Sequence, residues 1–396
     1  MTATAVVPHS DLDPFSDAFL DDPYDAHRAL RDAGPVVYLD HYRVWAFARF
    51  AQVRAVLTDP ATFCSSAGVG LTDFRKETPW RAPSLLLEAD QPEHTRARHA
   101  ITKVLTPKVV RRFRDTFTQA AEVLVGKLLD RGTFDVVADL AEAFPLQVFP
   151  DAVGLPPDGR ENLLPYGSMV FNGFGPRNHL FEEAMAGGVA VRDWIMAHCE
   201  ADALSPDGVG ALIHQAAAEE GYEPGERALL VRSFLSAGVD TTVHGLGNAV
   251  FCLATHQDQW QALRADPSLA RAAFEETIRF ESPVQTFFRT TTVDVQIAGV
   301  TLPAGEKVLT FLGAANRDPR EWENPDEFDL SRRAAGHVGF GAGTHACVGQ
   351  MLARLEGEAL LGALARQVET LELAGPPVRQ LSNTLRGLQT LPVRVG

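Results

Sequence analysis

Apolar residues recur at helical spacing along much of the chain. Between Pro107 and Leu129 the positions Val109, Val110, Phe113, Phe117, Ala120, Ala121 and Leu124 share one broad face, the pattern of a helix lying on a core. From Glu226 to His256 the residues are apolar almost all round, which predicts one long helix through the middle of the protein. A third helical stretch runs from Pro267 to Phe280 and stops before Ser282-Pro283. A fourth starts at Cys347 and continues to about Val368. Strand signals are fewer. Val36-Val37-Tyr38 and Val44-Trp45-Ala46-Phe47 predict an N-terminal hairpin. Val293 to Ile297 and Val300 to Leu302 predict another that turns at Ala298-Gly299, and Lys307 to Phe311 follows as a further strand. The pattern describes a mainly α protein with a small attached β-sheet region.

Composition narrows the class. The 396 residues contain no internal repeat and no Gly/Ser linker, so a single domain over residues 1–396 is expected. A net charge of −15 argues against nucleic acid, which is met by a basic face, and against an anionic membrane. The four cysteines, Cys64, Cys199, Cys252 and Cys347, form no C-x-x-C pair; reduced thiols in a cytoplasmic protein are the expectation. The N-terminal MTATAVVPHSDLDPF lacks the basic and apolar regions of a signal peptide, and no stretch reads as a membrane span.

The most specific signal is Phe340-Gly341-Ala342-Gly343-Thr344-His345-Ala346-Cys347-Val348-Gly349. A lone cysteine is usually a small buried hydrophobe. A nucleophile would need a base, and His345, two residues away, is poorly placed to be one. The third reading is a thiolate held by backbone N–H groups and a helix N-terminus, with glycines letting the backbone approach a flat ligand and Phe340 shielding the sulfur. Two further elements stand at suggestive positions. Glu276 and Arg279 share a helix face, as a solvated pair would also do. In Ala237-Gly238-Val239-Asp240-Thr241-Thr242, a carboxylate and two hydroxyls interrupt an apolar helix, which is costly unless they are used or face outward.

The pattern Phe-Gly-x-Gly-x-His-x-Cys-x-Gly resembles the cysteine-ligand loop of the cytochromes P450, and matches continue in order from about residue 90 to 350. That resemblance implies the cytochrome P450 fold, haem b as cofactor and Cys347 as the iron ligand, with Phe340, Gly341 and Gly349 around it. It makes Glu276 and Arg279 the family's Glu-x-x-Arg pair, with Arg317 as the candidate third member, and Asp240 with Thr241 the acid–alcohol pair that delivers protons during dioxygen activation. It assigns His94, Arg98, Arg289 and His345 to the haem propionates. The expected activity is a monooxygenase, in which the thiolate donates electron density to the iron.

Segments including Cys64-Ser65-Ser66, Pro79 to Leu85, Val170 to Phe174, Arg232-Ser233 and Glu281 to Arg289 further resemble a bacterial subfamily that oxidises para-substituted benzoic acids, notably by O-demethylation of 4-methoxybenzoate. On that likeness Arg81, Ser84, Arg232 and Ser233 bind a carboxylate, Phe171, Phe174 and Phe287 sandwich the ring, and Leu87 and Ala237 pack beside it. This chain has Ala82 and Gly173 where the pattern has Pro and Ala. For the phenylalanines, ordinary core packing is the plain alternative, and for the arginines, surface charge.

No flavin or nicotinamide segment is present, so electrons are expected from an iron–sulfur ferredoxin and its NAD(P)H-dependent reductase. From His94 to Arg114 the chain carries Arg96, Arg98, Lys103, Lys108, Arg111, Arg112 and Arg114 and no acid: either a solvated helix face or a docking surface for the ferredoxin. Competing functions are oxidation of another small aromatic or a terpenoid, peroxide-driven or dehydratase chemistry, and a haem-based sensor or carrier without turnover.

Overall fold

The computed structural model describes residues 7–396, so Met1–Val6, the start of the N-terminal segment read above, lie outside the described residues. Seven helices position the central cavity: α1 (Glu93–Val104), α2 (Arg114–Arg131), α3 (Leu163–Asn172), α4 (Pro224–Gly238), α5 (Asp240–Thr255), α6 (Ala270–Phe280) and α7 (Gln350–Gln367). Three of them, α2, α6 and α7, pack into one apolar cluster through Phe117, Ala121 and Val125, Phe274, and Leu355, Leu360 and Leu364.

Four boundaries differ from expectation. The Pro107–Leu129 helix is split at Phe113 into Pro107–Arg112, capped by the Thr106 hydroxyl, and α2. The expected Glu226–His256 helix is interrupted at Val239, giving α4 and α5. Pro267–Leu269 is a 3₁₀ turn, and the α-helix begins only at Ala270. The last helix starts at Gln350 rather than at Cys347, because the backbone of Gly343–His345 first makes a tight 3₁₀ turn.

The largest sheet among the described residues is six-stranded. Its strands are β1 (His9–Ser10), β2 (Val37–Leu39), β3 (Val44–Phe47), β4 (Phe63–Cys64), β5 (Thr286–Thr291) and β6 (Lys307–Phe311), in the order β1-β2-β3-β6-β5-β4. The predicted hairpin is β2–β3, with Val37 opposite Ala46, and β6 lies between β3 and β5. The second predicted hairpin pairs Val295–Ile297 with Val300–Leu302, and Ala298 and Gly299 turn it with φ of 52° and 83°. The periodicity gave no sign of the C-terminal strands Leu371–Leu373, Val378–Gln380, Gly387–Thr390 and Pro392–Val395. Each has at most four residues, too short for alternation to show. Among the described residues no helix is long and apolar enough to cross a membrane.

Glu276 and Arg279 are not a solvated pair. Both side chains are fully excluded from water, joined by Arg279 Nη2–Glu276 Oε1 at 2.7 Å and Nε–Oε2 at 2.8 Å. The guanidinium spends its other donors on the carbonyls of Asn316, Pro325 and Glu327. The expected third member is corrected: Arg317 lies against Glu281 and Asp326 and donates to the Phe280 carbonyl. Arg332 takes its place, with Nε 3.1 Å from Glu276 Oε1. Arg317 follows the short Leu312–Ala315 helix, which brings it to the C-terminal end of α6 at Phe280 and Glu281, a placement that spacing alone does not encode. Replacing Arg279 by Met would strand a buried carboxylate, so urea unfolding followed by circular dichroism should show a loss of about 3–5 kcal/mol.

Candidate active site

Between α1, α3, the α4–α5 break, α6, β5 and the start of α7 lies a cavity of about 1540 Å³ of atom-free space, part of it open to solvent. Its lining is largely apolar, and Cys347 stands on one wall with Phe340, Gly341 and Gly349 beside it. The loop that presents the thiol depends on glycine. Gly343 sits at φ +68°, and a Cβ there would lie 2.7 Å from the Leu57 carbonyl oxygen, so only glycine is accommodated. The Cys347 N–H donates to the Phe340 carbonyl at 2.8 Å. Burial pushes the thiol pKa up, while the N–H groups of Gly349 and Gln350 and the guanidinium groups of Arg98 and Arg354 pull it down. The thiolate-holding groups expected from the sequence are therefore in place, though they come from the turn before the helix as much as from the helix itself. The Phe340 ring lies under the Arg354 guanidinium, 4.6 Å from it.

His94, Arg98, Arg289 and His345 converge on the same cavity. The rings of His94 and His345 are 4.1 Å apart, and the two arginines donate to the backbone carbonyls of Ala346 and Phe288 rather than to a carboxylate. Burial, then Arg289, His94 and Arg98, push His345 down to about 3; burial pushes Arg289 down to about 10. His94 Nε2 is buried and has no partner. Two buried guanidinium groups beside two imidazoles that burial keeps neutral are suited to an anionic ligand, which takes charge from Arg98 and Arg289 and hydrogen bonds from the rings. A thiol facing an apolar slot with a cationic rim fits haem, whose iron takes a thiolate and whose propionates take the cations.

The break in the long helix lies on the cavity wall. Thr241 and Ala237 line it, and the Thr241 hydroxyl donates to the Ala237 carbonyl at 2.8 Å. Asp240 does not line it. Its carboxylate is turned toward Gly167 of α3 and His244, whose Nε2 is 3.5 Å from Oδ1. Burial pushes Asp240 up to about 7 and His244 down to about 4. The acid thus stands behind the alcohol, on the side away from the cavity.

Phe171, Phe174, Phe287, Leu87, Ser84 and Ser233 are brought together on the lining of the same cavity, as expected. Phe174 packs edge-on against Phe171 and tilted against Phe287, with centroids 5.8 and 5.9 Å apart. The hydroxyls of Ser84 and Ser233 share a hydrogen bond of 2.8 Å. The two arginines are corrected. Arg81 lines the cavity but is held by Glu88 through two hydrogen bonds of 2.9 and 3.2 Å, so its charge is already matched. Arg232 does not line the cavity; it is buried and donates to the carbonyls of Ala82 and Pro83. Phe149, Val170, Phe234, Val284 and Glu356 also line it, unforeseen. Of these only Phe234, one turn before Ala237 on α4, could have been found from helical spacing.

The basic stretch is mostly spoken for. Lys103 pairs with Glu219 and Glu220, Arg114 with Glu358, Arg96 lies over the Tyr222 ring, and Arg98 turns inward to the cavity. Lys108, Arg111 and Arg112 are left on the surface.

A mainly helical fold around a cavity of this donor set defines a haem-thiolate oxygenase. Comparison with known proteins agrees: the family model "Cytochrome P450" matches residues 205–390. Cytochrome p450 CYP199A2 of Rhodopseudomonas palustris is 57% identical, the alignment covering 99% of this chain and 95% of that protein. Cytochrome P450 107B1 of Saccharopolyspora erythraea is 34% identical over 98% of each. Among solved structures, cytochrome P450 CREJ in complex with (4-ethylphenyl) dihydrogen phosphate superposes with a TM-score of 0.87 at 27% identity, covering 97% of this chain and 99% of that one. The chain belongs to the cytochrome P450 family and is of the CYP199 type. It is a monooxygenase, an oxidoreductase that uses haem b and dioxygen and draws electrons through a redox partner.

A raised Asp240 pKa has a thermodynamic consequence. The acid is neutral in both folded and unfolded states below about 4, and above about 7 its buried charge costs the fold on the order of 4 kcal/mol. The wild type should therefore lose stability relative to Asp240→Asn as pH rises from about 4 to about 7, a divergence that melting temperatures at pH 5 and pH 8 will reveal.

Proposed function

We propose that this enzyme removes the methyl group of 4-methoxybenzoate, releasing formaldehyde and leaving 4-hydroxybenzoate. The observation that carries the reading is the Ser84–Ser233 hydroxyl pair on the wall of an aromatic-lined cavity, with Ser233 one helical turn before Ala237 on α4. Of the pair's two protons one lies between the hydroxyls and the other goes to the Leu229 carbonyl, 2.8 Å from Ser233 Oγ, so a carboxylate is received by a hydroxyl that turns from these acceptors to it. The guanidinium of Arg81, balanced by Glu88, stiffens that wall through Ser84, whose N–H donates to Glu88 Oε2 at 2.7 Å. Phe171, Phe174 and Phe287 hold the ring and exclude water, which presents the para substituent to the wall carrying Cys347 and Thr241. The CREJ complex, which superposes on this chain, holds a para-substituted aromatic anion, and that supports a substrate of the same shape and charge here.

In this reading Cys347 ligates the iron as a thiolate, its charge held by the N–H groups of Gly349 and Gln350, while His94, Arg98, Arg289 and His345 hold the propionates. Haem, when bound, would supply dioxygen activation and oxygenation of the methyl carbon, with two electrons from the redox partner and two protons taking the second oxygen atom to water. Thr241 holds a proton at its hydroxyl on the cavity side, and Asp240, neutral below about pH 7, replenishes it from behind. The hydroxylated methyl is a hemiacetal, which loses formaldehyde. Lys108, Arg111 and Arg112 form the exposed part of a docking face for an acidic ferredoxin.

The test is a Soret titration of the ferric protein with 4-methoxybenzoate, with 3-methoxybenzoate and 4-methoxybenzyl alcohol as controls, followed by formaldehyde assay. A low-spin to high-spin shift and formaldehyde with the para acid alone support the reading; a normal thiolate-haem spectrum with no shift sinks it. Ser84→Ala and Ser233→Ala should each weaken acid binding about tenfold and leave the alcohol unaffected.

A further inference from the structure

We propose that Lys307 is a positioning residue for the substrate cavity, its ammonium group latching the Ala67–Gly70 loop against which the Phe174 wall is set. Lys307 opens β6, away from the cavity lining. Its Nζ donates to three carbonyl oxygens of one loop: Ala67 at 3.1 Å, Gly68 at 2.8 Å and Gly70 at 2.9 Å. An ammonium has three donors, and all of them go to that loop. The nearest acid does not compete for it, because Asp73 is taken by Arg75 at 2.7 Å and Lys76 at 3.4 Å. The other ionisable groups around Lys307 are Arg75, Cys64 of β4 and Arg289 of β5. Lys307 therefore acts as a three-armed donor rather than as half of an ion pair. Burying such a group is costly unless its donors are satisfied, which makes the geometry specific.

The loop passes the constraint to the cavity. Its Val69 carbonyl accepts from the Phe288 N–H at 2.9 Å, between Phe287 on the aromatic wall and Arg289 on the cationic rim. The next N–H, that of Leu71, donates to the Phe174 carbonyl at 2.8 Å. At Gly70 the two backbones touch: a Cβ there would lie 2.6 Å from Phe174 Cα. Lys307 thus fixes two of the three rings assigned to the substrate from outside the pocket, a role that rests on the proposed aromatic-acid reading.

The experiment uses haem-loaded wild type, Lys307→Met and Lys307→Ala. Amide hydrogen exchange should accelerate at Leu71 and Phe288 in both variants and stay unchanged in α2 and α7. The 4-methoxybenzoate dissociation constant should rise about tenfold with the thiolate-haem spectrum intact. Propylammonium, which replaces the missing side chain with its donors, should restore Lys307→Ala, whereas tetramethylammonium, lacking an N–H, should not. Unchanged exchange at Leu71 and Phe288 in the folded variants would overturn the proposal. If those variants do not fold, Lys307→Arg decides: its planar fork cannot match three carbonyls of one loop, so exchange at Leu71 and Phe288 should still accelerate relative to α2 and α7, and unchanged exchange overturns the latch. A wild type that shows no spin shift with the acid refutes the substrate reading alone, since the exchange data judge the latch independently.

Discussion

A carboxylate and a guanidinium sealed from water must find every partner within the protein, and in this fold Glu276 and Arg279 do so with segments far along the chain. Arg279 reaches the carbonyls of Asn316, Pro325 and Glu327, and Glu276 accepts the N–H of Asp329 and the Nε of Arg332. The extended run from residue 316 to 332 has little regular structure of its own, so this one pair supplies much of what fixes its path. That run leads directly to the loop carrying Cys347. Asn316, whose carbonyl accepts from Arg279, accepts the Val338 N–H at its side chain, and the Gly341 N–H donates to the Val338 carbonyl, so the polar cluster is joined by hydrogen bonds to the start of the Cys347 loop.

The cavity divides its electrostatics in two. Around Cys347 the guanidinium groups of Arg98 and Arg289 stand beside the imidazoles of His94 and His345, and the protein carries the cost of burying them, seen in the depressed pKa of His345 and Arg289. Beside the two serines Arg81 is matched by Glu88, and neutral hydroxyls do the facing. Asp240 belongs to neither group: buried behind the wall, it gives the site an acid that titrates near neutrality without placing a carboxylate in an apolar pocket.

What could be read from the sequence follows from the physics of each signal. The Cys347 loop was legible because close backbone approach demands glycine at fixed positions, and the structure seats Gly343 where no other residue fits. The β2–β3 hairpin and the amphipathic face of α2 were legible because burial imposes a period. The break at Val239 was only half legible: polar residues announced a disturbance, but not that the helix would stop. Arg317 and Arg332 were indistinguishable as partners of Glu276, since each lies in a loop whose path depends on the contacts themselves. Arg81 and Arg232 were read as free charges because Glu88, seven residues from Arg81, gives no periodic sign of turning inward, and a backbone carbonyl gives none at all.

The Arg81–Glu88 pair has a consequence for how the molecule responds to ionic strength. A carboxylate received by hydroxyls beside a buried, internally balanced guanidinium gains little from long-range attraction, and small ions have little to screen there. Lys108, Arg111 and Arg112 stand in water on the outer face, where screening acts in full within about 10 Å at 0.1 M salt. In the proposed reading the two halves of the enzyme's work are therefore decoupled. Substrate capture is indifferent to the salinity of the medium, while the encounter that delivers electrons is governed by it.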